Sequence, residues 1–136
     1  MSFVLDTSVA MAWLMRDEES AAVDLLFDTI DGVVVLVPSL FWYEIRNALA
    51  VTQRRDRADG GYVIQSIGRM RQLRLETVEM AFRDDLAIFR AAATHRLTGH
   101  DATYLVLAQR MGLAIATGGK ALRRAAFAAG IPLTLS

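Results

Sequence analysis

The sequence predicts a three-layer α/β/α domain built on a five-stranded, mainly parallel sheet. Three observations lead there. Apolar runs without alternation, Phe3-Val4-Leu5 and residues 33–37, read as strands buried on both faces, the mark of a parallel sheet. Most such runs pass into a longer stretch with apolar residues at helical spacing. Glycines stand where helices should stop, at Gly32, Gly112 and Gly130. Strands alternating with helices pair in parallel through crossover connections. At 136 residues the chain is expected to form one domain, residues 1–136, long enough to bury a core.

Taken in order, the first strand is expected over 2–6, with Thr7 or Ser8 capping a helix over 9–15. Asp17, Glu18 and Glu19 place acids at the positive end of a second helix, 18–30. Strand 33–37 leads into a long helix reaching about residue 55, with Ser39 as its cap, and 54–61 reads as a loop. Val63, Ile67 and Met70 form the inward stripe of a helix over 62–73. Segment 75–80 alternates only in part, which suits an edge strand. A helix over 82–96 would turn Leu86, Phe89 and Ala93 inward. Another follows Thr98 and ends near Met111, with Gly112 just past its end. Strand 113–116, helix 120–129 and a last strand, 131–135, complete the chain.

Composition narrows the function. The apolar fraction is 54% and the mean hydropathy +0.30, an excess that points to apolar surface held for a partner or a second copy. No run approaches the ~20 apolar residues of a membrane span. No leader segment is expected, and the absence of cysteine excludes disulfides and thiolate metal sites, so the cytoplasm is the expected compartment. Net charge is zero, so nucleic-acid binding would have to come from a local patch.

Three acids stand out. Asp6 lies at the carboxyl end of the first strand, where open α/β sheets place their sites, although an acid there can also cap the next helix. Glu44 falls within the apolar face made by Leu40, Phe41, Ile45, Ala48, Leu49 and Val51. An inward carboxylate is costly unless it is paired, here with an arginine, or bound to a cation. Asp101 shares a stripe with Tyr104, Leu105 and Ala108. It also completes a Thr98-x-x-Asp101 capping box, and both readings stand. Convergence favours function, because all three acids should meet at one edge of the sheet. Like charges gathered there would repel or protonate unless a cation held them. With oxygen ligands, including the Ser8 and Thr7 hydroxyls, that cation would be Mg²⁺ or Mn²⁺. The chemistry it suits is phosphodiester hydrolysis by metal-activated water.

Asp6-Thr7-Ser8-Val9, Pro38-Ser39-Leu40 with Tyr43-Glu44 and Asn47-Ala48-Leu49, and Asp101-Ala102-Thr103-Tyr104-Leu105 with Ala108 carry a resemblance. Essentially end to end, the chain resembles PIN-domain proteins, and more closely VapC-type toxins of type II toxin–antitoxin pairs. The resemblance implies strand order 3-2-1-4-5 and a Mg²⁺-dependent ribonuclease acting on RNA. It also implies a homodimer and silencing by a cognate VapB-type antitoxin. It makes Asp6, Glu44 and Asp101 the catalytic, metal-binding acids, with Ser8, Asn47 and Thr117 as polar supports. One departure is clear: Gly119 stands where the family usually carries a fourth acid. A degenerate domain that binds antitoxin or RNA with little turnover is therefore the alternative. His100 replaces the aromatic residue more usual there and is a ligand, a proton carrier or a packing residue. A phosphatase of another α/β family is disfavoured, since no second acid follows Asp6 two residues on.

For substrate contact the basic clusters are Arg54-Arg55-Arg57, Arg69-Arg71-Arg74 and Arg123-Arg124, of which Arg123 and Arg124 are the first choice for phosphate. Trp13, Trp42 and Tyr43 are the candidates for stacking on bases. Antitoxin contact is expected on helices 9–15 and 62–73.

Overall fold

The computed structural model describes residues 2–15 and 20–135. Strands β1 (Phe3–Leu5), β2 (Val35–Pro38), β3 (Glu76–Val78) and β4 (Ala114–Ala116) form a single sheet ordered β3-β2-β1-β4. All pairings are parallel: Val4 lies opposite Leu36 on one side and Ile115 on the other, and Val37 lies opposite Thr77. The inner strands are thus β1 and β2, and β1 carries the site. The three residues of β1 are fully buried, and each such apolar side chain contributes about 1.5–3 kcal/mol. At the far edge, β3 leaves Glu76 and Thr77 exposed, as its broken alternation predicts.

Among the described residues, seven α-helices flank the sheet: α1 (Thr7–Leu14), α2 (Ala21–Asp28), α3 (Leu40–Arg54), α4 (Gly60–Gln72), α5 (Asp85–His95), α6 (Gly99–Met111) and α7 (Lys120–Ala128). The most deeply placed is α6, which packs on β1, β2 and β4. It buries Ala102, Tyr104, Leu105, Val106, Leu107 and Ala108. Gly112 ends it at φ 65°, a left-handed conformation that glycine adopts without a side-chain penalty.

Several expectations need correction. The segment 131–135 lies beside β4 as predicted but makes one parallel bridge, Ile115 with Leu133, rather than a strand. Pro132 has no N–H to extend the ladder; its carbonyl accepts from the Ile115 N–H, and Thr134 donates its N–H to the Ile115 carbonyl. Ser39 does not cap α3; its own backbone is helical and its hydroxyl donates to Glu79. Thr7 and Ser8 do not cap α1 either, because both lie inside its first turn and spend their hydroxyls elsewhere. Helix α4 begins two residues before the expected start, with the Asp59 carboxylate capping it through the Tyr62 N–H. Ser20 caps α2; the acids expected to open that helix, Asp17, Glu18 and Glu19, lie outside the described residues.

The largest correction concerns 82–96. A 3-10 turn, Phe82–Asp84, precedes α5, and Leu86, Phe89 and Ala93 face solvent. The side against the protein carries Asp84, Ile88, Ala91 and Ala92. Asp84 accepts from Arg110 of α6 at 2.7 Å and from the Ala81 N–H at 2.7 Å, which fixes the helix's rotation. The small Ala91 and Ala92 then let α5 lie close against α6.

Candidate active site

Backbone pairing carries Asp6 one step beyond β1: its N–H still bonds the Ala116 carbonyl at 3.0 Å. Asp6 occupies the cap position of α1 but makes no side-chain cap bond. Instead its Oδ2 accepts from Ser8 Oγ at 2.6 Å and from Thr117 Oγ1 at 2.7 Å. Thr117 is completely buried just past β4. The N–H of Gly118 donates to Ser8 Oγ (2.9 Å), and that of Gly119 to Thr117 Oγ1 (3.0 Å). Each hydroxyl oxygen receives one proton from the backbone and so turns its own toward Asp6. A buried carboxylate is thereby held in one orientation.

Glu44 projects from the second turn of α3. Its Oε1 accepts from Tyr104 OH at 2.6 Å and from Thr7 Oγ1 at 3.1 Å, and the two hydroxyls stand 3.0 Å apart. Oε2 lies 3.3 Å from Nδ1 of the exposed His100. No arginine pairs with Glu44 among the described residues. Its inward position is satisfied by two hydroxyls and an imidazole. Burial, then the bond to Glu44, pushes the Tyr104 phenol well above its ordinary value, so it stays a proton donor.

Asp101 opens α6. Thr98 caps the helix by accepting the Asp101 N–H at 3.1 Å, but the reciprocal half of a capping box is absent. Among the described residues the Asp101 carboxylate makes no hydrogen bond. Its pKa is raised, first by burial and then by the charges of Asp6 and Glu44, with His100 partly opposing them. Asp101 therefore stands close enough to Asp6 and Glu44, at the carboxyl edge of the sheet, to feel the charge of both. The three acids do not close into a cage: among the described residues no three Asp, Glu or His side chains form a metal-binding array. In donor chemistry they fit a hard cation, since carboxylate oxygens predominate and no hydrogen bond among the described residues engages the Asp101 carboxylate.

An open cleft of about 490 Å³ adjoins these groups, lined by Thr7, Leu40, Tyr43, Glu44, Asn47, Ala48 and His100. The predicted support Asn47 is exposed there and touches neither Asp6 nor Asp101 through a hydrogen bond. Of the two arginines chosen for phosphate, Arg123 donates to the carbonyls of Thr117 and Leu135, and Arg124 donates to that of His95. Both bind main chain, and neither lines the cleft. Trp13 stacks on Phe27 with Arg69 over its ring, while buried Trp42 bonds Thr77 and lies under Arg71. Sequence reasoning placed Tyr104 in the core without giving it a partner. A buried tyrosine must satisfy its hydroxyl, and that requirement, three residues after Asp101, was the available signal.

Solved structures share the fold. PAE2754 from Pyrobaculum aerophilum superposes with a TM-score of 0.73 at 22% identity, over 98% of this chain and 84% of that one. VapBC2 from Rickettsia felis, solved bound to a DNA fragment from its promoter, gives 0.68 at 11%, over 98% and 97%. FitAcB from Neisseria gonorrhoeae gives 0.63 at 18%, over 98% and 96%. No curated protein matches the sequence. A family model described as PIN domain matches residues 3–128, nearly the whole length. The chain belongs to the PIN domain family.

Proposed function

We propose that the chain is a divalent-metal-dependent endoribonuclease, the toxin of a toxin–antitoxin pair. PIN domains are in general nucleases that use divalent metal ions. The observation that carries the reading here is Asp101: a half-buried carboxylate without a hydrogen-bond partner, facing the charges of Asp6 and Glu44. Asp6, Glu44 and Asp101 would hold Mg²⁺, or Mn²⁺ in its place. That ion would supply an activated water and neutralise charge on the phosphate. Ser8 and Thr117 fix the Asp6 carboxylate, and Thr7 and Tyr104 fix that of Glu44. Likeness to the VapBC2 and FitAcB structures supports a VapB-type antitoxin as partner, and the apolar excess supports a homodimer. No helix among the described residues is long and apolar enough to cross a membrane, which is compatible with a cytoplasmic protein.

Asp6→Asn is the direct test. It keeps the size and both hydroxyl contacts but removes the charge. Mg²⁺-dependent cleavage of RNA should fall to background, and Mn²⁺ affinity, read by calorimetry, should drop with it. An Asp6→Asn variant that cleaves like the parent would sink the site assignment. Gly119 motivates a second reading, in which the domain binds antitoxin or RNA with weak turnover because the fourth acid is missing.

A further inference from the structure

Tyr43 is the aromatic residue the fold leaves most conspicuously unused. It precedes Glu44 on α3, is 68% exposed, and lines the cleft beside Glu44, Asn47 and His100. The two tryptophans weighed with it are covered by other rings and by arginines. Leaving a phenol ring in water at the rim of an acidic site contributes nothing to the core. Arg46, one turn along the same helix, sets its guanidinium 5.2 Å from the ring centroid, with neither group buried. At positions 40, 43 and 47, Leu40, Tyr43 and Asn47 form one stripe along the cleft, so an apolar floor, a π-face and an amide follow in line.

We propose that Tyr43 is the stacking platform for an unpaired RNA base next to the scissile phosphate. Arg46 would reinforce it through its own planar charge. The proposal rests on the ribonuclease reading and adds to it a residue that would hold the substrate in place. An exposed ring accepts any base whose face is free, and a base inside a duplex has no free face. Tyr43 lines the same cleft as Glu44, so a base stacked on the ring would bring its own phosphate toward that carboxylate. A protein partner would use the ring differently. It would bury the phenol edge among apolar side chains, yet Glu44, Asn47 and His100 line the cleft with Tyr43 and Arg46 lies over its ring.

The test is binding of a fluorescent, mixed-sequence RNA oligonucleotide to the full chain in EDTA, where turnover is suppressed, in single-stranded and duplex form. Tyr43→Ala should weaken single-strand binding roughly tenfold or more and leave duplex binding unchanged, while Tyr43→Phe and Tyr43→Trp should retain it. Equal loss for single strand and duplex, or no loss for either, would overturn the platform. So would a Tyr43→Ala protein with normal RNA affinity that no longer binds its antitoxin, because the ring would then be a protein contact. Failure of the underlying reading looks different: the unaltered chain would neither bind nor cleave any RNA.

Discussion

Gly119 is where one atom's worth of space decides between two readings of the site. It opens α7 with φ −73° and ψ 124°, angles open to any residue. A Cβ there would meet only Thr117 Oγ1, at 3.5 Å, an ordinary contact. Glycine is thus not required by the backbone, and an aspartate would fit without strain. It would also cap α7 and meet the positive end of that helix, so folding should not suffer. If the site lacks one carboxylate, Gly119→Asp should raise Mn²⁺ affinity by about tenfold, the effect of 1.4 kcal/mol, and raise the cleavage rate in titrated Mg²⁺. Calorimetry and a cleavage assay check both, with a thermal melt to confirm the fold. Unchanged affinity and rate would mean the three-acid site is complete as it stands.

At the scale of elements, the junction between the 3-10 turn and α6 depends on Asp84. Burial pushes its carboxyl upward, but the bonds from the Ala81 N–H and from Arg110 outweigh that and hold it below its ordinary 3.8. A depressed folded-state pKa stabilises the protein above the unfolded value, and that stability is lost as pH falls through the folded one. Melting temperature should therefore decline below about pH 4. Asp84→Asn should lower it at pH 7 and flatten the acid decline. Melts from pH 3 to pH 7 for the two proteins check this, and coincident curves would refute it. The same element shows what the sequence leaves open. Residues 82–96 carry apolar side chains on both faces, so periodicity identifies a helix without choosing its inward side. The choice is made by Arg110, near the far end of the next helix, and no local pattern reports it. The acids were legible for the opposite reason: Glu44 and Asp101 each contradict an apolar stripe, and contradiction is a local signal. Their partners were legible only in part: Thr7, Ser8 and Thr117 were named as hydroxyls for the site, but which acid each meets, and Tyr104 altogether, were not. Thr7, Tyr104 and Thr117 meet the acids across separations of 37, 60 and 111 residues, which only the finished sheet brings together.

For the whole molecule, the inverted face of α5 has a consequence for assembly. Phe82, Leu86 and Phe89 are 90%, 57% and 69% exposed; Leu86 and Phe89, three residues apart, share one face of α5, and Phe82 stands open on the turn before it, which together make an apolar ridge. The ridge lies opposite the side that packs on α6, where the chain's own core cannot cover it. Antitoxin contact was expected instead on α1 and α4. There Trp13 is already stacked on Phe27, and Ile64 is the large apolar side chain left open. Two copies meeting through α5 would hide the ridge symmetrically and leave the cleft free, since none of its residues lines it. On the homodimer reading, Phe89→Glu should convert the dimer to a monomer in sedimentation at micromolar concentration. Metal-dependent cleavage per chain should persist, because each site is built from one chain. A parent chain that sediments as a monomer would refute the dimer itself. A Phe89→Glu variant that remains dimeric would move the interface off α5.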